Sequence, residues 1–183
     1  MRVIAGEVKG RRLKTLDGLD VRPTTDKVKE SLFSIIQFDL PGCRFLDLFS
    51  GSGQIGIEAL SRGAEYAVFN DQSREAQAVI KENLTTVGLF KKSRVISMDA
   101  QAYLKSTKDV FDIIFLDPPY HHEILPAVLP LAVEKVQPHG MIICEHETSE
   151  EVPEQVGDFV RVKQYRYGKI MLSKYQIPQQ EDY

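Results

Sequence analysis

Cysteine is scarce in this sequence: two residues, Cys43 and Cys144, in a chain of 183. They form no C-x-x-C pair and no metal-ligand spacing. Both lie in apolar surroundings and read as small buried residues of a reducing compartment, not as a disulfide or metal framework. Long apolar runs are missing too. No stretch approaches the ~18 residues needed to cross a bilayer, and the opening MRVIAGEVKGRR puts charges where a secretory signal needs its apolar core. The expectation is a soluble, cytoplasmic chain with no metal and no membrane partner. Nor does one sign of charge dominate. The net charge is −3, from 23 bases and 26 acids, which argues against wholesale coating of a nucleic acid.

What is present suits one globular domain, with 43% hydrophobic and 27% charged residues and enough length to bury a core. The charge is unevenly spread. Residues 1–14 hold Arg2, Lys9, Arg11, Arg12 and Lys14 against the single acid Glu7. Lys9, Arg11, Arg12, Lys14 and the later Arg22 are candidates for phosphate contacts. A solvated basic face is the plainer reading of the same residues.

Residues 2–5 and 11–16 alternate as two short strands joined by a turn near Gly6–Gly10, which predicts a basic N-terminal β-hairpin. Thr24 or Thr25 is placed to cap a helix carrying Val28, Leu32, Ile35 and Ile36 on one face. From Arg44 the rhythm is strand then helix: strands over Arg44–Leu48, Ala64–Phe69, Arg94–Ser97, Phe111–Leu116 and Met141–Glu145, with helices between them, the last running to about Val136. Phe159–Tyr165 and Lys169–Lys174 form an antiparallel hairpin through Arg166-Tyr167-Gly168. Repeated strand–helix units predict an α/β fold with a mostly parallel seven-stranded sheet and helices on both faces. The chain divides into a basic extension (1–42), a cofactor-binding domain (43–176) and a polar tail (177–183).

Two clusters carry chemistry. Gly51-Ser52-Gly53-Gln54-Ile55-Gly56 follows the first parallel strand and opens a helix. Gly51 and Gly53 permit close backbone approach to a ligand, and Asp71 lies where a ribose-binding acid is expected. Asp47, at the strand end just before the loop, would repel a pyrophosphate but attract the ammonium or sulfonium of S-adenosylmethionine. Asp99 suits an acceptor for an adenine amine, or alternatively a helix cap. The second cluster, Asp117-Pro118-Pro119-Tyr120, ends the most apolar strand, where open α/β sheets bind ligands. The prolines stiffen the turn. The Asp117 carboxylate and the Pro118 carbonyl can then converge on one NH₂ group while Tyr120 offers a face for stacking a base.

Asp117 to Tyr120 resembles motif IV of amino methyltransferases acting on bases, and Phe49 to Gly53 resembles their motif I. Over residues 1–175 the chain resembles the RsmD-like family of bacterial 16S ribosomal RNA guanine-N2 methyltransferases. The matching segments are MRVIAGEVKGRRLKT, Arg22 to Asp26, Val28 to Glu30, Leu46 to Gly53, Gly56 to Ala64, Phe115 to Tyr120 and Arg166 to Gly168. The resemblance implies a class I, Rossmann-like methyltransferase fold. It implies S-adenosylmethionine at Asp47, Phe49, Gly51, Gly53, Asp71, Asp99 and Asp117, with S-adenosylhomocysteine as product. Asp117, Pro118 and Tyr120 would be catalytic. The implied partner is 16S ribosomal RNA or a small-subunit assembly intermediate, met by the basic arm of a monomer. Ser50 stands where the family often has Ala, and Asp71 where it often has Glu. Two rivals remain: a DNA adenine-N6 methyltransferase, and a nucleotide-binding module or NAD enzyme that would leave Asp117 to Tyr120 idle. His121 and His122 read as exposed loop residues, and Glu145-His146 has no assigned role.

Overall fold

A computed structural model describes residues 1–17, 24–120 and 123–180. The chain divides into two compact units, Met1–Ala100 and Gln101–Tyr183.

The first unit contains α1 (Asp26–Ile36), β1 (Arg44–Asp47), α2 (Gln54–Ser61), β2 (Tyr66–Asn70), α3 (Arg74–Val87) and β3 (Ser93–Ile96). Of the two threonines suited to starting α1, Thr25 does so: its hydroxyl accepts the Val28 amide. The helix buries Val28, Leu32, Phe33 and Ile36. The strands pair in parallel in the order β3-β2-β1, with Phe45 opposite Ala67 and Ala67 opposite Ser93. β1 and β2 are short, mostly buried runs, as parallel strands require, whereas β3 is half-buried with Arg94 exposed. Contact between α2 and the sheet depends on Gly56, where an added Cβ would stand 2.3 Å from the Phe69 ring. This is the helix–strand approach that the last glycine of G-x-G-x-x-G permits.

The second unit contains α4 (Ala100–Ser106, starting at the boundary), β4 (Phe111–Leu116), α5 (Ile124–Ala132), β5 (Val136–Glu147), β6 (Gln155–Val156), β7 (Phe159–Tyr167) and β8 (Ile170–Gln176). β4 and β5 are parallel, and β5, β8, β7 and β6 follow as antiparallel neighbours. The C-terminal hairpin is therefore present, with Tyr167 opposite Ile170 at its closed end.

Three expectations are corrected. The described residues hold eight strands, not seven: β6 is two residues long, too short for an alternation signal. The helix before β5 stops at Ala132 and a 3-10 turn over Val133–Lys135 leads into the strand, which starts at Val136. And the N-terminal arm is not a β-hairpin. It makes one antiparallel bridge, Arg2 with Arg12, supported by Val3 N donating to Arg11 O at 3.0 Å and Leu13 N to Met1 O at 2.9 Å. The donors needed for a longer ladder go elsewhere. Ile4 N and Ala5 N reach the Glu58 carboxylate at 3.0–3.1 Å. Glu7 N donates to Ser61 O at 2.7 Å, and Val8 N to Ser61 Oγ at 3.1 Å.

Glu58 is the anchor of the arm. It is 0% exposed, as is Lys29, whose ammonium lies 3.4 Å away, and Arg62 reaches it at 3.0 Å. Lys29 also donates to Arg2 O at 3.3 Å. Burial lowers the Lys29 pKa, and Glu58 opposes that shift. Among the described residues no helix is long and apolar enough to cross a membrane, and no group of three or more acids, His or Cys is arranged to hold a metal ion.

Candidate active site

In the first unit, the ends of the three parallel strands and the glycine loop are tied together by backbone and carboxylate bonds. Asp47, the last residue of β1, is 1% exposed. Its Oδ2 accepts the Gly56 amide at 3.2 Å, so a side chain from the preceding strand satisfies an orphan donor in the first turn of α2. Burial pushes the Asp47 carboxyl up to about 7; the Gly56 bond opposes this and the Asp71 charge adds to it. Ser50 folds the loop by donating its hydroxyl to Asp47 O at 2.6 Å. Gly53 N then closes a turn onto Ser50 O at 2.8 Å. Gly53 stands at φ 85°, the left-handed conformation that favours glycine, and is the residue before α2.

Asp71, just past β2, accepts from Gly51 N at 3.0 Å through one oxygen and from Ser73 N at 2.9 Å through the other. The short carboxylate is thus held against the loop and half-exposed, with further lone pairs available. Phe49 is half-buried on the same loop. Asp99 is exposed between β3 and α4. The residue that joins these ends is one the sequence reading passed over. Buried Asn70 donates to Leu48 O at 3.2 Å and Met98 O at 3.0 Å, and accepts from Met98 N at 3.2 Å. A lone amide at the end of an apolar strand was its only signal.

A cofactor with cationic and hydroxyl donors fits this set. The strand-end acids supply acceptors, and the loop backbone is open at Gly51, where an added Cβ would meet nothing closer than 4.0 Å. Among the described residues the buried Gln54 Oε1, in the first turn of α2, has no hydrogen-bond partner. It is an unsatisfied acceptor of the kind a ligand donor fills.

In the second unit, Asp117 is half-buried directly after β4, Pro118 is buried and Pro119 exposed. The half-buried Tyr120 donates its hydroxyl to Glu145 Oε1 of β5 at 3.4 Å. Its pKa is raised, first by burial and then by the charges of Glu145 and Asp117, so the phenol stays protonated. Glu145 is therefore a support for the motif that the sequence left without a role. Its neighbour His146 is buried, bonded to Ser173 Oγ at 2.7 Å and to Glu147 O at 2.8 Å, with its pKa lowered by burial. It belongs to the strand packing.

The basic candidates are unequal. Lys9 and Arg12 are exposed. Arg11 donates to Thr86 O, and Lys14 pairs with Glu82 at 3.2 Å. Backbone Lys14 exchanges hydrogen bonds with the buried amide of Asn83, which also donates to Ser52 O of the glycine loop at 2.9 Å. Arg22, His121 and His122 lie outside the described residues.

Comparison with known proteins agrees with this geometry. A family model described as "Conserved hypothetical protein 95" matches residues 1–176. The "Putative rRNA methyltransferase YlbH" of Bacillus subtilis is 46% identical over 173 residues, 92% of this chain and 94% of the relative. "Ribosomal RNA small subunit methyltransferase D" of Haemophilus influenzae is 35% identical over 152 residues, 80% of this chain and 79% of the relative. Among solved structures, the "Putative methyltransferase yhhF" of Escherichia coli superposes with a TM-score of 0.87 at 27% identity, covering 98% of this chain and 99% of that one. The α/β architecture with a parallel core and antiparallel C-terminal strands is the Rossmann-like methyltransferase fold, and the chain belongs to the RsmD/YlbH family of ribosomal RNA methyltransferases.

Proposed function

We propose that this chain transfers a methyl group from S-adenosylmethionine to the exocyclic N2 of a guanine in 16S ribosomal RNA. The observation that carries the reading is Asp117-Pro118-Pro119-Tyr120 at the end of β4, braced by Glu145. The acid-flanked glycine loop, within the first unit, and a relative named as a small-subunit ribosomal RNA methyltransferase also support the reading. The reading gives the cofactor to Asp47, Phe49, Gly51, Gly53, Asp71 and Asp99 of the first unit, with Asp117 beside it. It gives the base to Asp117, Pro118 and Tyr120, and the RNA backbone to the arm within residues 1–42.

S-adenosylmethionine, when bound, supplies a methyl on a sulfonium sulfur that an amine lone pair displaces, leaving S-adenosylhomocysteine. The residues do the positioning. Asp117 Oδ and the Pro118 carbonyl accept the two N–H bonds of the guanine amine and so aim its lone pair. Tyr120 stacks on the ring and holds a base taken out of its stack, a step that costs a few kcal/mol. As the N–C bond forms, one amine proton becomes acidic and Asp117 accepts it. Tyr120 does not compete for that proton, since Glu145 and burial keep its hydroxyl protonated.

Mapping methylated guanines in 16S ribosomal RNA from cells with and without the protein tests the target. Asp117→Ala is expected to abolish transfer to small ribosomal subunits while S-adenosylhomocysteine still binds, through the acids of the first unit. Full activity of that variant removes the motif from the reaction. Methyl acceptance by duplex DNA instead of ribosomal subunits replaces the proposed substrate.

A further inference from the structure

The basic arm does not stand alone. It lies along the C-terminal half of α3, held through Glu82, Asn83 and Thr86. The chain leaving α3 passes Gly88 and makes one 3-10 turn, Phe90–Lys92, before β3. That turn carries Lys91 and Lys92, with Arg94 two residues on and no acid between. Lys91, Lys92 and Arg94 are exposed. Lys92 Nζ lies 4.0 Å from Glu7 of the arm, so the two segments are neighbours in space. Phe90, at the head of the turn, is 47% exposed, one of few large apolar side chains the fold leaves in solvent.

We propose that Phe90, Lys91 and Lys92 extend the arm into one RNA-binding face, with the lysines on phosphates and the Phe90 ring stacked on an unpaired base. The chemistry favours RNA over another polyanion. Flexible bases alone would serve any anion, but an exposed aromatic among them offers a stacking platform for a nucleobase. The inference rests on the proposed ribosomal RNA substrate and adds a demand on it: an unpaired base at Phe90 other than the target guanine, which that reading gives to Asp117, Pro118 and Tyr120.

The test compares wild-type protein, Lys91→Ala with Lys92→Ala, and Phe90→Ala on in vitro transcribed 16S ribosomal RNA, with polyglutamate as the control polyanion. All three substituted side chains are solvent-exposed, and retained S-adenosylhomocysteine affinity reports an intact fold. The lysine pair is expected to lower the log–log salt slope by about 1.4–1.8, from 0.7–0.9 per lost phosphate contact. Phe90→Ala is expected to weaken RNA binding roughly fivefold or more with the slope unchanged. It should leave any polyglutamate binding untouched. Wild-type affinity and slope in both variants overturn the face. Loss of RNA and polyglutamate alike from the lysine pair, with Phe90→Ala silent, makes it a general anion surface and overturns the stacking role. Failure of the wild-type protein to bind or methylate either the RNA or small ribosomal subunits sinks the substrate reading itself, a result distinct from silent variants of an active enzyme.

Discussion

Single carboxylates decide the chemistry here, and their surroundings set what each can do. Asp47, with its carboxyl pushed up to about 7 by burial, keeps a proton in the folded chain over a range where the unfolded chain, with an ordinary carboxyl near 3.8, has released it. Between these values the native state binds more protons than the unfolded state. The stability Asp47 contributes is thus complete below about pH 3.8 and is lost as pH rises through 7. Asp47→Asn keeps an oxygen for the Gly56 amide and carries no titration. Urea midpoints from pH 5 to 8 are expected to fall less steeply with pH in this variant; an unchanged profile assigns the titration to another group. Tyr120 divides into a ring and a hydroxyl. Tyr120→Phe keeps the stacking face and is expected to lose less than about fivefold in transfer, the hydroxyl bond being worth about 1 kcal/mol. Tyr120→Ala loses the face as well, at roughly 1–3 kcal/mol. Transfer rates that are equal in the two variants would remove stacking from its role. Asp47, Asp71, Asp117 and Tyr120 stood out in the sequence as candidates because acids and an aromatic follow short apolar runs there, and the structure places all four at or just past strand ends. Asn70 and Glu145 occupy the same kind of position but gave weaker signals. An amide resembles any loop residue, and Glu145 matters through Tyr120, a partner 25 residues away in sequence.

At the level of elements, periodicity and turn chemistry located the parallel strands, the helices between them and the C-terminal hairpin. They failed at the N-terminus for a specific reason. Residues 2–5 and 11–16 have the alternation of a hairpin, but the amides of Ile4 and Ala5 bond to Glu58, 53–54 residues away. Nothing local marks Glu58 as a receptor for another segment's backbone. Its position on α2 resembles that of any helix glutamate until the fold buries it beside Lys29. The consequence is measurable. Glu58→Ala leaves the Lys29 ammonium buried without its counter-charge and two amides without acceptors, at about 3–5 kcal/mol. Urea denaturation should show it, and a cost under 1 kcal/mol would mean the arm detaches readily and Lys29 finds water. Asn83→Ala is milder in stability but more local. It unties Lys14 from Ser52, and residues 1–14 are expected to become the first site of limited proteolysis while the remainder stays intact.

For the molecule as a whole, the relevant property is how charge is apportioned. Five of the 23 bases fall in residues 1–14, on a chain whose net charge is −3. Two of the five have internal duties, Arg11 on Thr86 and Lys14 on Glu82, whereas Lys9 and Arg12 face solvent. Lys9→Ala with Arg12→Ala is therefore expected to reduce the salt slope of RNA binding by about 1.4–1.8 at unchanged stability. Arg11→Ala should cost stability too, about 1 kcal/mol for the lost bond to Thr86. A double variant with the wild-type slope would leave the arm a purely structural strap. The docking of that arm also has a timing. Lys14 is joined to the ribosome's growing chain 69 residues before its partner Asn83. At about 5–20 residues per second the delay is roughly 3–14 s. Throughout that interval a strip of five bases waits for Asn83 and Thr86, not yet made, beside a machine built of RNA. In a protein proposed to modify ribosomal RNA, the basic segment is thus made ahead of the groups that hold it, and it is secured only once Glu58 is buried.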